Sequence, residues 1–324
     1  MITRPFRFAV TAPSVEGDLA CWRDQIRRVE DMGFDTVVMA DHFTEGYAIE
    51  PMVALTAAAS CTSVLRLQTS VLGNDYRHPV LTHRMAAALD VVSEGRFTLG
   101  LGAGWMRTDY EAAGLRYDAP GERVSRLQES VAIIKGLFGA EPFTFHGRYY
   151  DIEALDGLPK PVQRPHPPLF LGGGSPRVLR FAGKEADLVG VNASLREGAL
   201  GRHAVVDLEY ERVAEKVGWV REGALAAGRN PDEVELEMNH WLVRITDTDA
   251  DGRAYLERIA GRFEVDPALL DESPSVLVGT VEACVEKLQA RRDELGFSCL
   301  QLDAGFPPPD IERLAPLVSA LAGS

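Results

Sequence analysis

Asp41-His42 closes an apolar run and is the best acid–base candidate in the chain. Histidine ionises nearest to neutrality, so it can take or give a proton at working pH. A lone histidine is also often a satisfied structural residue. The sharpest local signal is "LFLGGGSPR", in which Gly172, Gly173, Gly174 and Ser175 lead into Pro176 and Arg177. Proline favours the first position of a helix, and the exposed N–H groups of a helix start attract anions. Arg177 adds charge, so the run reads as a phosphate-binding turn; a tight strand-to-helix turn with packing glycines is the alternative. In "LGLGAGW", Gly100, Gly102 and Gly104 alternate on one face, which admits a ligand or a neighbouring backbone. Ala103 and Trp105 belong to the same stretch, and Trp105 either roofs a pocket or plugs an end of the fold. "LRLQTSVLGNDYRHPV" starts as a strand and breaks into a loop crowded with Asn74, Asp75, Tyr76, Arg77 and His78. Those side chains either fasten the loop or receive a ligand.

Other chemistries lack their signatures. The seven histidines are scattered without His-x-His or His-Glu-x-x-His, and no cysteine pair is present, so no metal site is expected. There is no Gly-x-x-x-x-Gly-Lys-Ser/Thr loop and no Gly-x-Ser-x-Gly elbow. Glu45, Asp75 and Asp303 are compatible with a two-carboxylate glycosidase without inviting one. With 34 basic against 48 acidic residues the formal charge is −14, which should repel nucleic acid and anionic membrane. The four cysteines are dispersed, as in free thiols. No secretory pattern or apolar span of membrane length stands out, so a cytoplasmic protein is expected.

The elements that must position these residues alternate along the chain. Strands are read at "FRFAV", "DTVVMADHF", "LRLQTSV", "EGRFTLGLGAG", "PPLFLGGG", "EADLVGV", "VELEMNHWLVRIT" and "FSCLQLD", with amphipathic helices between them. Eight such units favour an α/β fold of the (β/α)8 TIM-barrel type, which needs about 250 residues before insertions. An open doubly wound sheet would require a Gly-x-G-x-x-G fingerprint after an early strand, and none follows "FRFAV". Nothing divides residues 1–324 into two domains. The main excess over a minimal barrel is an excursion at about 117–168, and Thr246 to Ser275 is a weaker one. Barrel sites lie at the C-terminal strand ends. Asp41-His42, the 73–78 loop, Gly102 to Trp105, Gly172 to Ser175, Asn192 and Asp303 all fall there.

In order and spacing, "FDTVVMADHF", "TSVLGNDYRHPVLTHRMAAALDVVSEGRFTLGLGAGW", "FTFHGRYYDIEALDGLPKPVQRPHPPLFLGGGSPRVLRFAGKEADLVG" and "LVGTVEACVEKLQARRDELGFSCLQL" resemble the luciferase-like monooxygenase superfamily, in particular its coenzyme F420-dependent branch. The resemblance implies a barrel with insertions and a non-proline cis peptide at Ser70-Val71, on which the cofactor ring rests beside Leu72 to His78. It implies His42 as the catalytic proton carrier. It also implies cofactor contacts from Asp41, Ser70, Val71, Asn74, Gly102, Ala103, Gly104, Trp105, Gly172, Gly173, Gly174, Ser175 and Arg177. The implied reaction is hydride transfer between F420 and a small organic substrate (carbonyl, imine or activated alkene). FMN is the alternative cofactor, in an oxygen-using monooxygenase; a barrel kept only for binding or structure is a third reading. The resemblance further implies a homodimer, for which the apolar stripe Met85, Leu89 and Val92 is a candidate face.

Overall fold

The computed structural model describes residues 3–13, 18–44, 49–195, 198, 201–302 and 311–324. Eight parallel strands form the frame: β1 (Arg7–Thr11), β2 (Thr36–Met39), β3 (Arg66–Thr69), β4 (Phe97–Gly102), β5 (Leu169–Gly173), β6 (Leu188–Val191), β7 (Glu235–His240) and β8 (Phe297–Leu302). Each pairs with the next, and β8 pairs with β1 through Arg7 opposite Cys299 and Val10 opposite Leu302. The sheet therefore closes on itself, as the eightfold alternation predicts. β2 and β8 are buried along their whole length, which explains their nearly unbroken apolar sequences: one face packs inside the barrel and the other under helices.

The helices carry their own start signals. Asp18 accepts from Ala20 N at the head of Leu19–Asp31, whose Trp22, Ile26 and Val29 turn inward. Glu50 caps Pro51–Ala59 through Val53 N, and Thr280 caps Val281–Leu295 through Ala283 N. Between β4 and β5 lie the helix Pro120–Phe138 and the antiparallel hairpin of Phe143–His146 with Asp151–Leu155.

One expected strand is divided. "VELEMNHWLVRIT" reads as a single strand, but β7 ends at His240, and Leu242–Ile245 pairs in parallel with Val276–Gly279 in a separate two-stranded sheet. Between those two strands stand the helices Asp249–Phe263 and Pro267–Glu272. They pack on a second core that includes Leu242, Tyr255, Ile259, Leu270 and Val276. The second excursion is thus an α/β unit with an apolar interior. No glycine or proline marks the break at Trp241; only the choice of pairing partner does.

β3 also breaks. After Thr69 the chain makes the cis peptide Ser70-Val71, and Leu72–Gly73 then rejoins the ladder opposite Leu101 and Gly102. Thr69 Oγ1 donates to Gly100 O (2.9 Å) and accepts from Gly100 N (2.8 Å). A Cβ on Gly100 would lie 1.7 Å from Thr69 O, and one on Gly102 would lie 2.6 Å from Val71 Cγ2. Two of the alternating glycines therefore make room for the bulge itself.

Candidate active site

A cavity of about 2480 Å³ opens at the C-terminal ends of the strands. His42 stands in its wall, with Trp105 edge-on to the imidazole at 5.6 Å between centroids. The imidazole Nδ1 is 2.6 Å from Asp109 Oδ2, and Asp109 is fully buried. Asp109 also accepts from Phe43 N (3.0 Å) and from the Tyr76 hydroxyl (3.2 Å). A carboxylate at Nδ1 fixes the tautomer with its proton there, which leaves Nε2 as the nitrogen that exchanges one.

The crowded loop after β3 is fastened by its side chains. Arg77 pairs with Asp41 and with Glu50 Oε1 (2.7 Å), and Gly73 N donates to Asp41 Oδ2 (3.0 Å). Asp75 accepts from the Tyr110 hydroxyl (3.1 Å) and pairs with Arg126 (2.9 Å). His78 accepts from Val80 N at the head of Pro79–Val92. Asp41 lines the cavity, but its carboxylate is engaged by Arg77 and Gly73. Asn74 is buried outside the cavity lining.

The remaining site residues read from the sequence share this one cavity. Ser70 and Val71 form one wall, Gly102, Ala103, Gly104 and Trp105 the next, and Gly172, Gly173, Gly174, Ser175 and Arg177 a third. Gly173 and Gly174 have packing reasons: a Cβ would meet Val178 Cγ1 or the Asn192 carbonyl, each at 2.4 Å. Gly172 differs, since its Cβ would meet nothing nearer than 3.4 Å and would only fill space beside Val71 and Asn192. Arg177 donates to Gly121 O (2.8 Å), Ser125 Oγ (2.8 Å) and Gln128 Oε1 (2.9 Å), all neutral. Glu45 and Asp303 lie outside the described residues.

Residues 3–299 match the luciferase-like monooxygenase family. The chain belongs to that family. Among curated relatives, this luciferase-like chain is 26% identical over 280 residues to an FMNH(2)-dependent dimethylsulfone monooxygenase of Pseudomonas putida, covering 81% of this chain and 72% of that one. It is 31% identical over 214 residues to an F420-dependent glucose-6-phosphate dehydrogenase of Kineococcus radiotolerans, covering 64% of this chain and 59% of the relative's length. Its fold matches that of a coenzyme F420 dependent tetrahydromethanopterin reductase from Methanopyrus kandleri, with a TM-score of 0.75, 21% identity and 99% of both chains covered. Membership makes the chain an oxidoreductase of the luciferase-like type acting on a small organic substrate. Among the described residues no group of His, Cys, Asp or Glu could hold a metal ion, and no helix is long and apolar enough to cross a membrane.

Several site residues of this luciferase-like chain were not read from the sequence. Asp109 sits in the first turn of Arg107–Ala113; its only signal is an acid just past the Gly102 to Trp105 rim. Arg123 is 3 % exposed, lies over the Tyr117 ring at 4.1 Å and donates to Gly104 O (3.3 Å). Its hydrogen bonds, like those of Arg177, go to neutral oxygens, so both keep a net positive charge at the wall. Lys216 is fully buried and donates to Asn192 O (3.0 Å) and Asp207 Oδ2 (2.6 Å), pinning the rim after β6. Burial lowers its pKa. Deep in the barrel, burial pushes the Glu237 carboxyl up to about 7.

Proposed function

We propose that the chain is an F420-dependent oxidoreductase, in which a hydride passes between the deazaflavin and a small organic substrate. The observation that carries this reading is the reach of the cavity. It runs from Glu237 at the barrel floor past the Gly172 to Ser175 turn to Arg180 and Lys184 along the helix Pro176–Glu185. Ligand pockets of ordinary size occupy roughly 300–1,000 Å³, so the space suits a ring cofactor with a long tail. The flat wall at Gly172 suits a planar ring. Arg123 and Arg177, whose hydrogen bonds go to neutral oxygens, suit the phosphate.

The bound cofactor supplies hydride chemistry at its central ring. The chain's residues position and protonate. Ser70 and Val71 support the ring, and Arg177 with the Gly172 to Ser175 turn holds its phosphate. His42, oriented by Asp109, moves the accompanying proton at Nε2. A second reading, an FMN-dependent monooxygenase, is favoured by the dimethylsulfone monooxygenase relative, which matches 81% of the chain. Titration with F420 and with FMN, followed by ring fluorescence, separates them. F420 is expected to bind more tightly; clearly tighter FMN binding overturns the assignment.

The same reading extends to assembly as a homodimer. Of the candidate stripe, Leu89 packs inward and Met85 is half-buried, whereas Val92 is exposed, as are Leu81 on the same helix and Val53 on Pro51–Ala59. Light scattering at micromolar concentration is expected to give about twice 35.4 kDa, with an interface of at least about 1,000 Å². A single species of 35.4 kDa refutes it.

A further inference from the structure

The floor of the barrel carries a carboxyl group that the reading above does not use. Glu237 on β7 is 2 % exposed and lines the cavity. Gln68 on β3 donates from Nε2 to Glu237 Oε2 (2.9 Å); β3 and β7 are not neighbours in the sheet, so the bond crosses the barrel interior. Cys299 Sγ on β8 lies 3.7 Å from the same Oε2 and donates its S–H to it. Just above, Ser70 Oγ of the bulge donates to Gln301 Oε1 (2.9 Å).

Two donors on one oxygen dictate where a proton can sit. A carboxylic acid whose Oε2 receives both an amide N–H and a thiol S–H carries its own hydrogen on Oε1. Among the described residues Oε1 receives no donor, and Glu237 has no lysine or arginine at ion-pair distance. The charged groups that act on it lie in the layer below, where Arg7 of β1 is paired with Glu235 of β7 and with Asp35. An unpaired carboxylate buried in this way is costly, which agrees with the upward shift caused by burial.

We propose that Glu237 is a neutral acid presenting Oε1–H to the cavity floor, and that this hydrogen is the donor for an anionic oxygen of the reduced ring cofactor. The inference rests on the ring-cofactor reading, with either F420 or FMN. A ring that has accepted a hydride carries one more negative charge until it takes up a proton. A neutral donor at the floor stabilises that anion, whereas an ionised Glu237 repels it. The hydrogen remains on Glu237, and no covalent bond changes.

The test is anaerobic titration of reduced F420 and reduced FMN at pH values on either side of 7, with the natural chain and with Glu237→Gln. The amide keeps a donor and cannot ionise, while the ring's own ionisation is common to both proteins. The ratio of the two affinities is therefore the readout. It is expected to fall about ten-fold per pH unit above the break. Gln68→Leu is expected to move the break to higher pH, because the Gln68 hydrogen bond favours the carboxylate; it serves also if Glu237→Gln fails to fold. Infrared spectra of the ligand-free chain below the break are expected to show a protonated-carboxyl stretch that Glu237→Gln lacks. A pH-independent ratio, or no such band in the natural chain, overturns the assignment of Glu237 and leaves the cofactor reading standing. Failure of the natural chain to bind either ring overturns both.

Discussion

Asp109→Asn is expected to lower turnover roughly 100-fold, at the lower end of what general acid–base catalysis contributes. Asp109 lies outside the cavity lining and acts through His42. An amide at this position can donate to Nδ1 as readily as accept from it, so the imidazole loses its fixed tautomer. The proton that Nε2 must exchange is then present in only part of the population. Cofactor affinity is expected to stay within a few-fold, because a residue that positions a proton carrier acts chiefly in the transition state. His42→Gln is expected to show the same split between turnover and affinity, and Asp109→Glu to recover part of the activity. Ring absorbance during turnover and ring fluorescence during titration measure the two sides. Unchanged turnover in both Asp109→Asn and His42→Gln makes the pair structural and assigns the proton to another group.

Gly100→Ala is expected to cost about 3 kcal/mol of stability or more, at the upper end of overpacking, and to abolish ring binding. The added Cβ would lie 1.7 Å from Thr69 O and 2.8 Å from Thr69 C, both of them backbone atoms. Relief requires the Ser70-Val71 bulge to move, and that bulge is the proposed seat of the ring. Gly218→Ala is the control. It sits in the helix Tyr210–Ala226 with nothing within 4 Å of a new Cβ, so the helix should gain about 0.5–1 kcal/mol. Urea unfolding of the two variants measures both. Equal stability of Gly100→Ala and the natural chain would mean that the bulge adjusts freely and cannot be the fixed support proposed here.

The barrel was legible because several strands, β2 and β6 among them, are buried on both faces and so read as apolar runs. The helices were legible because their inward residues recur at helical spacing, as Trp22, Ile26 and Val29 do. The rim candidates were legible for a topological reason: once strands are counted, their C-terminal ends name themselves. What the sequence hid were relations across space. Asp109 is 67 residues from His42, and nothing in "MRTDYEAAG" marks it as the partner of an imidazole. Glu237 shares one strand face with Glu235 and Asn239 in "VELEMNH", a polar alternation that does signal an unusual interior. Only the fold shows that Gln68 and Cys299 converge on it. The glycines of "LGLG" were weighed evenly between ligand access and close packing, and Gly100 and Gly102 answer first to the packing of Thr69 and Val71. The loop of Asp75 to His78 posed a choice between anchoring and binding; its contacts fall on the anchoring side, with Tyr76 also facing the cavity.

Arg77 has one more consequence, and it concerns descent. Its guanidinium holds Asp41, which precedes His42, and Glu50, which heads the next helix. Both ends of the intervening segment are therefore moored to a single side chain from a different loop. Closing a chain between fixed ends costs only slightly more as its length grows, so the number of residues separating Asp41 from Glu50 can change while both moored carboxylates keep their places. A lineage built on this arrangement can vary that length without displacing Asp41, whose neighbour His42 is the proposed proton carrier.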